Sequence, residues 1–221
     1  KRYREECHRE VQIEFGPSQA LLNRVEIAAD GDLFIPADDS FLNIAAEKSL
    51  VAERIPIATM KAVVAVPKGN PKGVKSLKDL MGESIRLVQT NPDGAAIGKV
   101  TRSALTEANL WEPLKAKTIA FRGTVTDVAN DVKLGAADAG IVYDAVLATY
   151  PQLEAVEIAE LNSITSRVEV GVLSAAKDPQ ATLHFARYLS AQDRGLESYA
   201  KHGFNTEASE PWADRPQLTL Y

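Results

Sequence analysis

Ile55-Pro56-Ile57-Ala58-Thr59-Met60-Lys61-Ala62-Val63-Val64-Ala65-Val66-Pro67 decides the architecture. The run is apolar, rich in β-branched residues and closed by proline, so it reads as a strand. It is longer than the roughly 5–6 residues that an ordinary strand uses. That excess suits a segment that serves one half of the molecule and then crosses into another. Val168–Leu173 has the same character and is expected to make the return crossing.

Outward from this run, strand-like and helical patterns alternate. Val11–Phe15 is a strand candidate, followed by a helix over Ser18–Ala29 and a strand at Asp32-Leu33-Phe34-Ile35 that Pro36 stops. Asp38-Asp39-Ser40 are suited to capping the helix expected at Phe41–Leu50. Beyond the crossing come a short helix at 76–80 and strands at 85–89, 118–121, 139–143 and 156–158. Helices are expected at 95–108, 125–134, 145–150, 179–190 and 191–202. Such alternation predicts an α/β fold of mainly parallel sheets covered by helices on both faces.

Composition narrows the function. The 221 residues are 45% hydrophobic and 25% charged. A chain of this size can bury one large core or two lobes of about 100 residues each. With a net charge of −5 and no basic run, nucleic acid is not an expected partner. No apolar run approaches the roughly 20 residues that a membrane-crossing helix requires. Cys7 stands alone and reads as a small apolar residue near a helix end, so no internal disulfide is available. His8, His184 and His202 are scattered, without carboxylates or cysteines at metal-ligand spacing. Hydrolase and nucleotide fingerprints are absent, so no catalysis, cofactor or cation site is expected. Lys99 and Arg122 fall near the expected cleft, where a cation would add attraction or catalysis, but they read first as solvated edges of the lobes.

In open α/β sheets, ligands bind where strand ends lead into helix starts. A helix start presents unpaired amides and the positive end of its dipole, and so holds an anion without a cationic side chain. Three junctions have the required form: Phe15-Gly16-Pro17-Ser18-Gln19, Asn91-Pro92-Asp93-Gly94-Ala95-Ala96-Ile97-Gly98, and Arg122-Gly123-Thr124-Val125-Thr126-Asp127. Alone, Ser18 also reads as a simple helix cap. Gly140-Ile141-Val142-Tyr143 is a buried strand ending in a phenol, which reads as core or as a hydroxyl donor.

Taken in order, these segments resemble the molybdate/tungstate-binding proteins of ABC importers. The resemblance also rests on Ala29-Asp30-Gly31-Asp32-Leu33-Phe34-Ile35-Pro36-Ala37-Asp38 and on a last helix closed by Gly203-Phe204, and it spans Lys1 to Phe204. It implies a two-lobed periplasmic-binding-protein type II fold. Residues 1–60 and 171–221 would form lobe 1, and residues 61–170 lobe 2. It further implies an extracytoplasmic, periplasmic receptor that hands a tetrahedral oxyanion to importer membrane subunits. By position, Ser18 would donate its hydroxyl and amide. Ile97 would donate a backbone N–H, or Ala96 or Ala95 after a small shift of register. Val125, beside Thr124, would donate a second N–H, and Tyr143 its hydroxyl.

The family pattern opens with a strand and a serine-bearing turn that have no counterpart here. Lys1-Arg2-Tyr3-Arg4-Glu5-Glu6 reads as the last turns of a helix already under way. Gln217-Leu218-Thr219-Leu220-Tyr221 looks like the strand in question. The expectation is therefore a piece of a longer chain, or a tail that supplies the strand within its own molecule or to a neighbour. Without such exchange a monomer is expected. The alternative function is a receptor-like sensory or interaction domain of a multidomain chain, with weak or no anion binding.

Overall fold

The computed structural model describes residues 1–212. α1 (Arg2–Cys7) and α2 (Ser18–Ala28) precede β1 (Leu33–Phe34) and α3 (Asp39–Glu47), and β2 (Val51–Pro67) is the long crossing strand. Then follow α4 (Leu77–Leu80), β3 (Leu87–Thr90), α5 (Ala96–Glu107), α6 (Trp111–Lys117), β4 (Thr118–Arg122), α7 (Val125–Lys133), β5 (Ala139–Tyr143), α8 (Asp144–Leu147) and β6 (Leu153–Val156). A 3-10 turn at Ala159–Leu161 leads to β7 (Thr165–Leu173), α9 (Pro179–Ser190), α10 (Gly195–Lys201) and β8 (Asn205–Thr206).

β2 does what its length implies. From Val51 to Lys61 it runs antiparallel to β7, and at Ala58 and Thr59 it also holds β8. From Ala62 onward it changes partners, pairing with β5 through Ala65 and with β6 through Pro67. One strand thus belongs to two sheets, β1-β7-β2-β8 and β6-β2-β5-β3-β4. Its register with β7 slips between Pro56 and Ala58, beside a proline that has no amide for the ladder.

Parallel pairing is confined to β3 with its neighbours β4 and β5. The α/β class stands, but the expected mainly parallel pairing is replaced by mixed sheets. The cause is the return crossing: β7 comes back along β2 and must run against it.

The strand expected at Val11–Phe15 does not form. Its alternating apolar side chains are exposed, Val11 at 40%, Ile13 at 67% and Phe15 at 87%. Alternation alone cannot make a strand when no neighbour among the described residues offers a ladder. The strand expected at 156–158 begins earlier, at Leu153, where β2 provides the partner. α10 starts at Gly195 rather than Ala191, because Ala191 takes extended backbone at the end of α9. The sequence reading passed over α6, whose Pro113 sits in the first turn, where its missing amide costs no bond. The tail strand Gln217–Tyr221 lies outside the described residues.

The packing joins the two halves around the crossing. Leu22, Phe34, Phe41, Leu42, Ala45 and Leu173 form a cluster that also takes in Ala96, the first residue of α5. Phe41 and Leu42 are fully buried, and each contributes about 1.5–3 kcal/mol. The start of α5 is therefore seated on the opposite half of the molecule.

Candidate functional site

Every α-helix leaves its first amides without an intrahelical acceptor. Among the described residues, five helices have nine or more residues, and three of them satisfy those amides with a side chain. Asp38 caps α3 through Ser40 N, Asp178 caps α9 through Ala181 N, and Thr124 exchanges bonds with Asp127 on α7. α2 and α5 have no such cap. Proline and alanine stand at their cap positions, Pro17 and Ala95, and neither side chain can accept a bond.

The start of α5 is buried, and that of α2 is buried at Ser18 while Gln19 is half-buried and Ala20 exposed. Ser18 is 8% exposed, and Ala95, Ala96 and Ile97 are equally enclosed. Among the described residues, the amides of Ser18, Gln19 and Ala20, and of Ala96, Ile97 and Gly98, have no acceptor within the protein. A buried amide left unpaired costs about 1–3 kcal/mol. The buried ones, at Ser18 and along the start of α5, call for an acceptor from outside. On α7 the capping box leaves only Val125 and Thr126 amides open.

The chain brings these starts together. A β-carbon on Gly123, in the turn entering α7, would stand 4.0 Å from Pro17 Cγ, so the turns that enter α2 and α7 lie close together. Gly98 lets the Thr90–Asn91 backbone press against the first turn of α5. A β-carbon there would lie 2.7 Å from Asn91 O and 2.8 Å from Thr90 O. Ser18 does not act as a cap. It is the first helical residue, and its Oγ accepts from Ala37 N at 3.4 Å, which leaves the hydroxyl hydrogen free to donate.

Tyr143 ends β5 with its ring 1% exposed, and its hydroxyl lies 2.6 Å from Ser166 Oγ on β7. Burial pushes the phenol well above its ordinary pKa, the Ser166 hydrogen bond works against that rise, and the charges of Asp38 and Asp39 add to it. The group is therefore a neutral hydroxyl at physiological pH. Burial raises the Asp39 carboxyl as well, with Asp38 and Glu169 adding to the effect.

Of the predicted residues, Ser18 opens α2, Ala95, Ala96 and Ile97 form the start of α5, Thr124 and Val125 the start of α7, and Tyr143 ends β5. Ile97 can contribute only its backbone, because its side chain is in the main core. Ser166 was not predicted. A serine inside a strand gives no local signal, and only its tertiary contact with Tyr143 reveals it. Arg122 is an edge residue, its Nε held 2.6 Å from Asp131 Oδ2. Lys99 is not a solvated edge: it is half-buried against α3. Among the described residues, no group of His, Cys, Asp and Glu could hold a metal ion, and no helix is long and apolar enough to cross a membrane.

Residues 1–205 match the family described as bacterial extracellular solute-binding protein. The molybdate-binding protein ModA of Mycobacterium tuberculosis is 26% identical over 183 residues, covering 82% of this chain and 68% of that protein. The periplasmic molybdate-binding protein of Azotobacter vinelandii superposes with a TM-score of 0.77 at 18% identity, covering 94% of this chain and 92% of the other. A periplasmic thiamin-binding protein superposes with a TM-score of 0.79 at 15% identity, covering 95% and 78%. The contrast between these two ligands means that the shared fold identifies the architecture and not the solute. The relatives and neighbours are solute-binding proteins rather than enzymes. This chain is a member of the bacterial extracellular solute-binding protein family, with the periplasmic-binding-protein type II fold.

Proposed function

We propose that the chain is an extracytoplasmic receptor for a small tetrahedral oxyanion, molybdate or tungstate, delivered to the membrane subunits of an ABC importer. In this reading residues 1–60 and 171–221 form one lobe and residues 61–170 the other, and the anion is enclosed between them by hinge closure. The observation that carries it is the pair of uncapped helix starts, buried at Ser18 of α2 and at Ala96 and Ile97 of α5, with the turn into the partly open start of α7 close to Pro17. Ser18 offers its hydroxyl and amide, Ile97 or its neighbours Ala96 and Ala95 an amide, Val125 beside Thr124 an amide, and Tyr143 its hydroxyl.

All of these are donors. A fully deprotonated oxyanion is purely an acceptor and satisfies them, whereas a protonated one would place a hydrogen against them. Each hydrogen bond to a charged group contributes about 1.5–3 kcal/mol, so these five donors supply roughly 7.5–15 kcal/mol of gross interaction, a range that reaches micromolar binding. Similarity to molybdate-binding relatives supports the choice of anion. Isothermal titration with molybdate, tungstate, sulfate and thiamin tests it. Heat with the first two at micromolar concentrations is the expected result, and silence with all oxyanions refutes the proposal.

A second reading is a receptor-like domain of a longer chain that no longer binds an anion. The exposed apolar side chains of Val11, Ile13 and Phe15 favour it, since they form a surface that further polypeptide would cover. The same titration decides between the two.

A further inference from the structure

We infer that Lys99 is a cross-lobe clasp that makes the site prefer a doubly charged anion to a singly charged one of the same shape. The inference rests on the receptor reading above. Lys99 lies in the first turn of α5, where its own amide closes the first intrahelical bond to Ala95 O. A positive side chain in that turn opposes the helix dipole. Among the described residues, no carboxylate lies within ion-pair distance of its ammonium group. Instead Nζ donates to Ser40 Oγ at 3.1 Å and stands 5.0 Å from the centroid of the Phe41 ring.

Both partners belong to α3, in the other proposed lobe. They continue the loop whose Ala37 amide bonds Ser18 Oγ and whose Asp38 caps α3. The clasp therefore closes over the junction where the α2 and α5 amides are open. Ser40 accepts only one of the three ammonium hydrogens. A dianion beside the α5 start offsets both the open amides and the unfavourable cation. A monoanion offsets less, and Asp38 and Asp39 on the facing loop already oppose any anion there. Lys99 is a positioning residue: it acts through lobe closure and local charge.

The test compares wild type with Lys99→Met and Lys99→Arg, titrated with molybdate and with perrhenate, a tetrahedral monoanion, at low and high salt. Perrhenate affinity is read by competition where direct heat is small. Lys99→Met keeps an unbranched side chain over Phe41 and should fold; Lys99→Gln is the substitute if it does not. The expected result is a loss of about tenfold for molybdate in Lys99→Met, against less than about threefold for perrhenate. Lys99→Arg should restore most of the loss, and the salt dependence of molybdate binding should be shallower in Lys99→Met. Equal losses for both anions, or none, overturn the clasp while leaving the receptor reading intact. A wild type that binds neither anion overturns the receptor reading and the clasp with it.

Discussion

Replacing Tyr143 by phenylalanine separates a structural role for its hydroxyl from a binding role. The ring is buried and stays where it is, so packing is preserved. Two hydrogen-bonding consequences follow. Ser166 Oγ, fully buried, loses its 2.6 Å partner, which costs about 1–3 kcal/mol of stability. The bound anion loses one hydroxyl donor, which costs a further 1–3 kcal/mol or so of binding, roughly a tenfold to hundredfold rise in Kd. Thermal unfolding measures the first effect and isothermal titration the second. Ser166→Ala removes the same internal bond but leaves the phenol able to donate, so it should reduce stability without an equal loss of affinity. The double variant should regain stability, since no polar group is left orphaned, but not affinity. Wild-type affinity in Tyr143→Phe would show that the hydroxyl serves only Ser166 and that the anion site is misplaced.

Three other outcomes are expected. Gly98→Ala sets a β-carbon against Asn91 O and Thr90 O, so the turn must move off the α5 start; stability should fall by about 1–3 kcal/mol and anion affinity by at least tenfold, both readable in one titration and one melt. Arg86 bonds both Asp138 oxygens and holds that carboxyl below its ordinary range, so the pair's stabilisation is present above the unfolded carboxylate pKa and lost as pH falls through the depressed one. Arg86→Met should lower stability slightly near neutrality and flatten the acid limb of a pH–stability curve; an unchanged limb would refute this. Burial raises the phenols of Tyr143 and Tyr199, favouring the protonated form in the fold, so their contribution is complete below the ordinary tyrosine pKa of 10.0 and fades as pH rises above it. Stability that stays constant well above that pH would contradict their burial.

The candidate site was legible in the sequence to the extent that it consists of helix starts. Gly16-Pro17-Ser18 and Asn91-Pro92-Asp93-Gly94 are turn chemistry next to helical periodicity, and both led to helices where expected. The absence of a capping side chain before α5 was also written in the sequence, as alanine at the cap position, whereas Ser18 read as a cap for α2. Its significance was not, because an uncapped start matters only when it is buried, and burial is supplied by the other half of the fold. Ser166 carried no local signal, and Lys99 read as a solvated edge. Each became informative through a partner distant in sequence, Tyr143 in one case and Ser40 with Phe41 in the other.

By itself the sequence determined the order and kind of most elements, the long crossing strand and the cap at Asp38. Those features follow from periodicity, proline and glycine placement and short-range hydrogen bonds, all of which act within a few residues. Strand direction was decided only by the tertiary structure, which set β7 against β2 and left Val11–Phe15 without a ladder. It also decided which amides went unpaired. The physical reason is that a strand or a buried donor is defined by what lies across from it, and that neighbour is chosen when the chain closes on itself.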